Sequence, residues 1–268
     1  MDEQQKQLVL KLKDAQNVLV TVSKNPSVDQ LAAAIGLTLA LNKLDKHATA
    51  VYSGQTPSTI EFLKPEETLE TNTDSLRDFI IALDKSKADK LRYKVEDQLV
   101  RIFITPYKTS ISENDLNFSQ GDFNVDVVVA LGVKEQSDLD QAITAHGRIL
   151  HDAVVSTISL EGQSELGTLN VVNTNASSLS EIVTKLVQEL DKGVMDNQIA
   201  TALLTGIVAM TDRFSNDRTS PETMSISATL MSAGANQQLI ASELEAGVTQ
   251  VDPPRLSLIH ISEPTRPY

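Results

Sequence analysis

Three oxygen-bearing side chains, Ser23, Ser27 and Asp29, sit close together in VLVTVSKNPSVDQLAAAIGLTLAL (18–41), where an apolar β-branched run gives way to a helix of small residues. A loop between strand and helix is a good place to hold a phosphate or a cation, because helix N–H groups and strand-end side chains meet there. As a donor set for two divalent ions, however, one carboxylate and two neutral hydroxyls are poor. The neighbouring pair His151 and Asp152 joins imidazole to carboxylate, the chemistry of acid–base catalysis. On a strand, adjacent side chains point to opposite faces, which favours a structural role for that pair. Asp126 opens an apolar run and could point into a cleft or cap a neighbouring element. In ASSLSEI, Ser177, Ser178 and Ser180 stand at a helix start, where free N–H groups and the dipole attract an anion. Plain N-capping, with Ser178 and Glu181 at capping-box spacing, explains the same serines. Arg213 and Arg218 flank FSND and could neutralise a phosphate, although such arginines also pair with surface carboxylates. His47 has no companion, and no serine or threonine has a base at a telling spacing. The Walker A, G-x-G-x-x-G, H-E-x-x-H and G-x-S-x-G patterns are absent.

These groups need elements to position them. Leu8, Leu10 and Leu12 among polar residues give a short helix over 2–15, feeding a strand at Asn17–Val22. Ser27 caps the next helix, whose Leu31, Ile35 and Leu39 recur at helical spacing, and HATAVY follows as a second strand. That β-α-β order implies parallel strands with a right-handed crossover. LRDFIIAL (76–83) predicts a third strand, and LRYKVEDQLVRIFITP a hairpin over 91–105, as an insertion or an edge that could also serve dimerisation. VDVVVALG (125–132) has the composition of a strand buried on both faces. A helix near 137–145 and a strand near 149–158 follow, and after residue 175 four apolar stripes predict packed helices, one with Pro221 at its first turn. The expected architecture is an α/β parallel-sheet three-layer sandwich over 1–250 with a helical C-terminal part.

Composition narrows the function. A 41% hydrophobic content in 268 residues suffices for a real core, as one large domain or two ordinary ones. With no cysteine, disulfides, thiolate zinc sites and cysteine nucleophiles are excluded. The net charge of −13 repels long nucleic acid and anionic lipid. With no spanning apolar run and no signal-peptide order at MDEQQKQ, a cytoplasmic location is expected. The stretch LSLIHISEPTRPY after Pro253-Pro254 resembles a translated sequencing adapter, so 251–268 reads as a linker and non-native tail, with the natural C-terminus missing.

Four segments in order, NPSVDQLAAAIGLTLAL, NVDVVVALG, LGTLNVVNTNASSLSEIV and ALLTGIVAMTDRF…RTSPETMSISATLMSAGA, resemble the DHH phosphoesterase family over most of 15–245. That family includes oligoribonucleases, nucleotide phosphatases and cyclic-dinucleotide phosphodiesterases. The resemblance implies a cleft in which active members hold two divalent ions, usually manganese, on His and Asp side chains. Carried over position by position, the first motif's His falls on Ser23, its first Asp on Ser27 and its second Asp on Asp29. The strand-ending Asp falls on Gly132, the name-giving Asp-His-His on Ile158, Ser159 and Leu160 within about a residue, and the late-loop Asp on Met210. Only Asp29 keeps a ligand type. The resemblance therefore implies a degenerate site with no metal cofactor. It leaves a binding or regulatory role for a nucleotide or short oligonucleotide, with Ser177, Ser178, Arg213 and Arg218 as phosphate contacts. The family's second domain, with its Gly-Gly-Gly-His motif, is expected after about residue 250 and is missing. The alternative is an active manganese-dependent phosphoesterase using Asp29, Asp126 and Asp152, for which those acids must converge.

Overall fold

The computed structural model describes residues 3–249, so the tail at 251–268 lies outside the described residues. In chain order the elements are α1 (Glu3–Asp14), β1 (Asn17–Val22), α2 (Val28–Lys43), β2 (His47–Val51), β3 (Leu69–Glu70), β4 (Arg77–Leu83), β5 (Ala88–Glu96), β6 (Leu99–Pro106), β7 (Leu116–Phe123), β8 (Val127–Leu131), α3 (Gln141–Thr144), α4 (Ile149–Asp152), β9 (Val154–Ser159), β10 (Leu169–Val172), α5 (Leu179–Leu190), α6 (Asn197–Met210), α7 (Pro221–Ser232) and α8 (Gln237–Thr249).

Six strands form one parallel sheet in the order β10-β9-β8-β1-β2-β3. β8 is wholly apolar, and β1 from Val18 onward is apolar but for the buried Thr21, because both have strand neighbours on each side and helices on each face. Alternation along the strands divides the core. Val18, Val20, Val127 and Val129 face the cluster built with α2, α5 and α6, while Leu19, Val128 and Ala130 face Leu139, Ile143 and Ile149 around α3 and α4. The chain leaves β1 for β2 on one side and passes from β8 to β9 on the other. The crevice between β1 and β8 is thus a topological switch point, where open α/β sheets place ligands.

α2 is buried nearly all round, which explains its small residues. A Cβ on Gly36 would stand 2.7 Å from the side chain of Leu203, so α2 and α6 approach more closely there than alanine permits. Ser27 starts α2 with a reciprocal cap: its hydroxyl accepts from Gln30 N at 3.2 Å, and Gln30 Oε1 accepts from Ser27 N at 2.9 Å.

Two expectations are corrected. LRDFIIAL does form a strand, β4, but it pairs antiparallel with β7 outside the main sheet. The inserted unit is therefore the whole stretch β4–β7, which carries the expected hairpin as β5 and β6. The strand expected from residue 149 begins only at Val154, and Ile149–Asp152 is a helical turn. Its apolar residue Ile149 is buried against the sheet face, which satisfies the hydrophobic run without strand pairing.

Candidate functional site

At the carboxyl ends of β1, β8 and β9 a cavity of about 220 Å³ is lined by Ser27, Asp29, Gln30, Gly132, Lys134, Ser159, Leu160, Glu161, Leu179, Met210 and Arg218. Seven positions singled out in the sequence, Ser27, Asp29, Gly132, Ser159, Leu160, Met210 and Arg218, are brought together here although they span 192 positions of chain, from 27 to 218. Ile158, one residue earlier on β9, is fully buried in the core instead. Ser23 reaches the cavity wall through Gln30.

Gln30 was not singled out in the sequence, and it occupies the centre of this arrangement. Its Nε2 donates to Leu131 O at 2.9 Å and to Ser23 Oγ at 3.0 Å, while its Oε1 takes the Ser27 N–H. One amide thereby ties the loop after β1 to the end of β8. Gly132 follows at φ +65, where a Cβ would stand 2.5 Å from Gln30 Nε2. Any side chain at 132 would have to displace the amide. The sequence signal for Gln30 was its place three residues after Ser27, the capping-box position, which predicts the backbone bond but not the reach across to β8.

Asp29, 2% exposed, does not turn both oxygens into the cavity. Oδ2 accepts from Leu179 N at 2.7 Å and Oδ1 from Ser180 N at 3.0 Å, so the carboxylate of α2 caps α5. Burial pushes its pKa up to about 6, opposed by the hydrogen bonds from Ser180 and Leu179 and, least, by the charge of Arg218. α6 closes the junction: a Cβ on Gly206 would lie 1.9 Å from Ser180 Oγ and 2.6 Å from Asp29 Oδ1.

The start of α5 is saturated by the protein itself. Ser178 Oγ accepts from Glu181 N at 3.0 Å. The wholly buried Glu181 takes Ser177 N, Ser177 Oγ and Thr223 Oγ1 on Oε2 at 3.1, 2.7 and 2.9 Å, and its Oε1 lies 3.4 Å from Lys185 Nζ. The anion contact expected at Ser177 and Ser178 is corrected accordingly: both are buried, and the N–H groups that would bind an anion already face Asp29 and Ser178 Oγ.

The arginines separate. Arg218 lines the cavity, whereas Arg213 pairs with Asp212 at 3.4 Å and Glu245 at 3.7 Å. Lys134, two residues past Gly132, is the second cation at the cavity wall.

Asp126, His151 and Asp152 lie at the other end of the sheet. Asp126 Oδ2 accepts from Gln16 N and Asn17 N, both at 2.8 Å, ahead of β1. His151 and Asp152 touch at 3.3 Å on an exposed turn, so the expectation that a strand would hold them apart is corrected. β8 alone separates these acids from Asp29 by roughly 17 Å at about 3.3 Å per residue. Among the described residues no group of three or more His, Asp or Glu is placed to share a metal ion. Nor is any helix among them long and apolar enough to cross a membrane.

This fold resembles that of an exopolyphosphatase-related protein from Bacteroides fragilis, with a TM-score of 0.64 and 13% identity over 91% of this chain and 60% of that one. A putative family II inorganic pyrophosphatase from Methanococcus jannaschii aligns with a TM-score of 0.49 and 14% identity over 86% of this chain and 61% of that one. The chain thus spans about three-fifths of the length of each. No protein-family model matches the sequence, and no curated protein does. The first likeness supports the architecture described above, an α/β fold with a parallel sheet and a helical C-terminal part.

Proposed function

We propose that this chain is a DHH-like domain without phosphoesterase activity, which acts by binding a small phosphorylated ligand, a nucleotide or a short oligonucleotide, at the β1/β8 crevice. The observation that carries this reading is the Gln30 amide. It bridges Ser23 and Leu131 O across the place where the family's metal ligands converge, and Gly132 is shaped to admit it. An NH₂ group donates where a cation would need donors of electron pairs, so the bridge is a substitute for a metal rather than a ligand to one. Asp29, the remaining acid, has both oxygens engaged by α5 N–H groups. The residues present therefore do not fit a pair of manganese ions. Arg218 and Lys134 supply the positive charge that phosphate oxygens require in an otherwise acidic chain.

The test is a pair of measurements on the full chain. With manganese present, a chromogenic phosphodiester and a dinucleotide should turn over no faster than in buffer with manganese alone. Calorimetry with nucleoside monophosphates and dinucleotides should show binding that weakens by about tenfold in Arg218→Ala, the effect of losing one charge-assisted contact. Manganese-dependent turnover abolished by Asp29→Ala would establish an enzyme instead.

A further inference from the structure

A second cavity, of about 310 Å³, opens at the other end of the sheet from the β1/β8 crevice, among the first residues of β1, β2 and β4. Its wall brings together Asn17, Lys46, His47, Arg77, Asp78 and Asn124, three basic side chains and one acid in a chain of net charge −13. The wall is braced by the protein itself. Asn17 Nδ2 donates to Asn124 Oδ1 at 3.1 Å and Asn124 N to Leu76 O at 2.8 Å, so the root of the inserted β4–β7 unit is pinned to β1. Lys46 Nζ donates to Lys13 O at 2.6 Å and to Ala15 O at 2.7 Å, which leaves one of its three N–H groups uncommitted. The pairing of β4 with β7 is irregular at this point. Arg77 opposes Phe123 and Phe79 opposes Gln120, so Gly121 and Asp122 both face Asp78. That bulge lets Arg77 and Asp78, neighbours that a regular strand sends to opposite faces, line one cavity.

Arg77 is the telling residue. Its guanidinium lies 4.2 Å from the centroid of the Phe123 ring, a stack that fixes the plane of the fork. Its Nε is buried without a hydrogen-bond partner, and among the described residues no carboxylate stands within salt-bridge reach of it, Asp78 included. Native folds seldom leave a buried donor of a cation unanswered, because its lost hydration is not recovered, and such an orphan calls for a partner from outside the chain. We propose that this cavity is a second binding site, for a small oxyanion, phosphate or carboxylate, held by the Arg77 fork with Lys46 and His47 beside it. A planar fork fixed on an aromatic face matches two oxygens of one such group. Asn124, whose Oδ1 takes Asn17, keeps its NH₂ group for a further contact. Asp78 is the one acid on the wall, and Asp126, at the same end of the sheet, accepts instead from Gln16 N and Asn17 N. Three basic groups against one acid invert locally the field of an acidic chain. Lys46 and His47 belong to the body and Arg77 to the inserted unit, so a bound oxyanion joins the two.

The test is a heteronuclear NMR titration of the full chain with sodium phosphate and, separately, sodium malonate, each against sodium chloride at matched ionic strength. The Arg77 Nε–H resonance and the amides of 46–49 and 76–78 should move saturably with at least one of the two anions, and whichever moves them names the ligand class. Arg77→Gln should weaken that binding by about tenfold or more, the effect of losing a charge-assisted fork. An Arg77 Nε–H that moves with neither anion, or as much with chloride, overturns the proposal whether or not the variant folds. An Arg77→Gln chain that binds as tightly as wild type overturns it as well. Phosphate shifts at Gly132 and Lys134 with none at Arg77 belong to the β1/β8 crevice, and they too contradict a second site.

Discussion

Asp29 at the start of α2 and Ser180 at the start of α5 are joined across 151 positions of sequence by a 3.0 Å hydrogen bond from the Ser180 N–H to Oδ1, and Leu179 N meets Oδ2 at 2.7 Å. The acid that metal chemistry would need is thereby a structural clamp between two helices. Asp29→Ala should lower unfolding stability at pH 7 by about 2 kcal/mol, since it strands two buried N–H groups and removes a charge whose burial offsets part of the gain. Chemical denaturation monitored by circular dichroism measures it.

The same residue gives a pH signature. Its pKa is raised from 3.8 to about 6, so between those values the folded chain holds a proton that the unfolded chain releases. The stability contributed is fully present below about pH 4 and lost as pH rises through about 6, by at most about 3 kcal/mol at roughly 1.4 kcal/mol per unit. The advantage of wild type over Asp29→Asn in urea midpoints should shrink across that window. A constant difference would place the carboxylate in contact with water.

Gly206 sets two effects against each other. Alanine is favoured over glycine inside a helix by about 1 kcal/mol. Here the new Cβ would meet Ser180 Oγ at 1.9 Å and Asp29 Oδ1 at 2.6 Å, and overpacking costs about 1–3 kcal/mol or more. Gly206→Ala should therefore destabilise the chain, and adding Ser180→Ala should recover part of the loss. Thermal melts of the three variants decide the sign.

Gln30→Leu removes the amide bridge while keeping side-chain bulk. Leu131 O and the Ser27 N–H lose their partner, so a loss of about 1–3 kcal/mol is expected. Amide exchange at Ser27 should accelerate relative to residues deeper in α2.

Most of the framework was legible because it is local. β1, α2, β2, β8 and the late helices follow from apolar periodicity, and the cap at Ser27 and the first turn at Pro221 from residue type. β4 was visible as a strand but not in its sheet, because the choice between β7 and the parallel sheet is made by pairing partners some 40 residues away. β10 is only four residues long, too short for an alternation to declare itself. Ile149 and Leu150 read as strand because burial against a sheet face and burial within a sheet leave the same letters. In the site, Ser27, Asp29, Gly132, Ser159, Leu160 and Met210 were reached through motif order, but Gln30, Lys134, Glu161 and Leu179 were not, nor was what Asp29 and Gln30 do. Their partners, Leu179, Ser180 and Leu131, offer backbone atoms, which no residue type announces.

The claim that the Gln30 amide has taken the place of the metals is tested most directly by crystals grown in manganese, with anomalous data collected at the manganese edge. The account predicts no anomalous peak between Ser23, Asp29 and Gly132, with Gln30 Nε2 still on Leu131 O. Two peaks there, with the Gln30 side chain swung aside and Asp29 detached from α5, would contradict it.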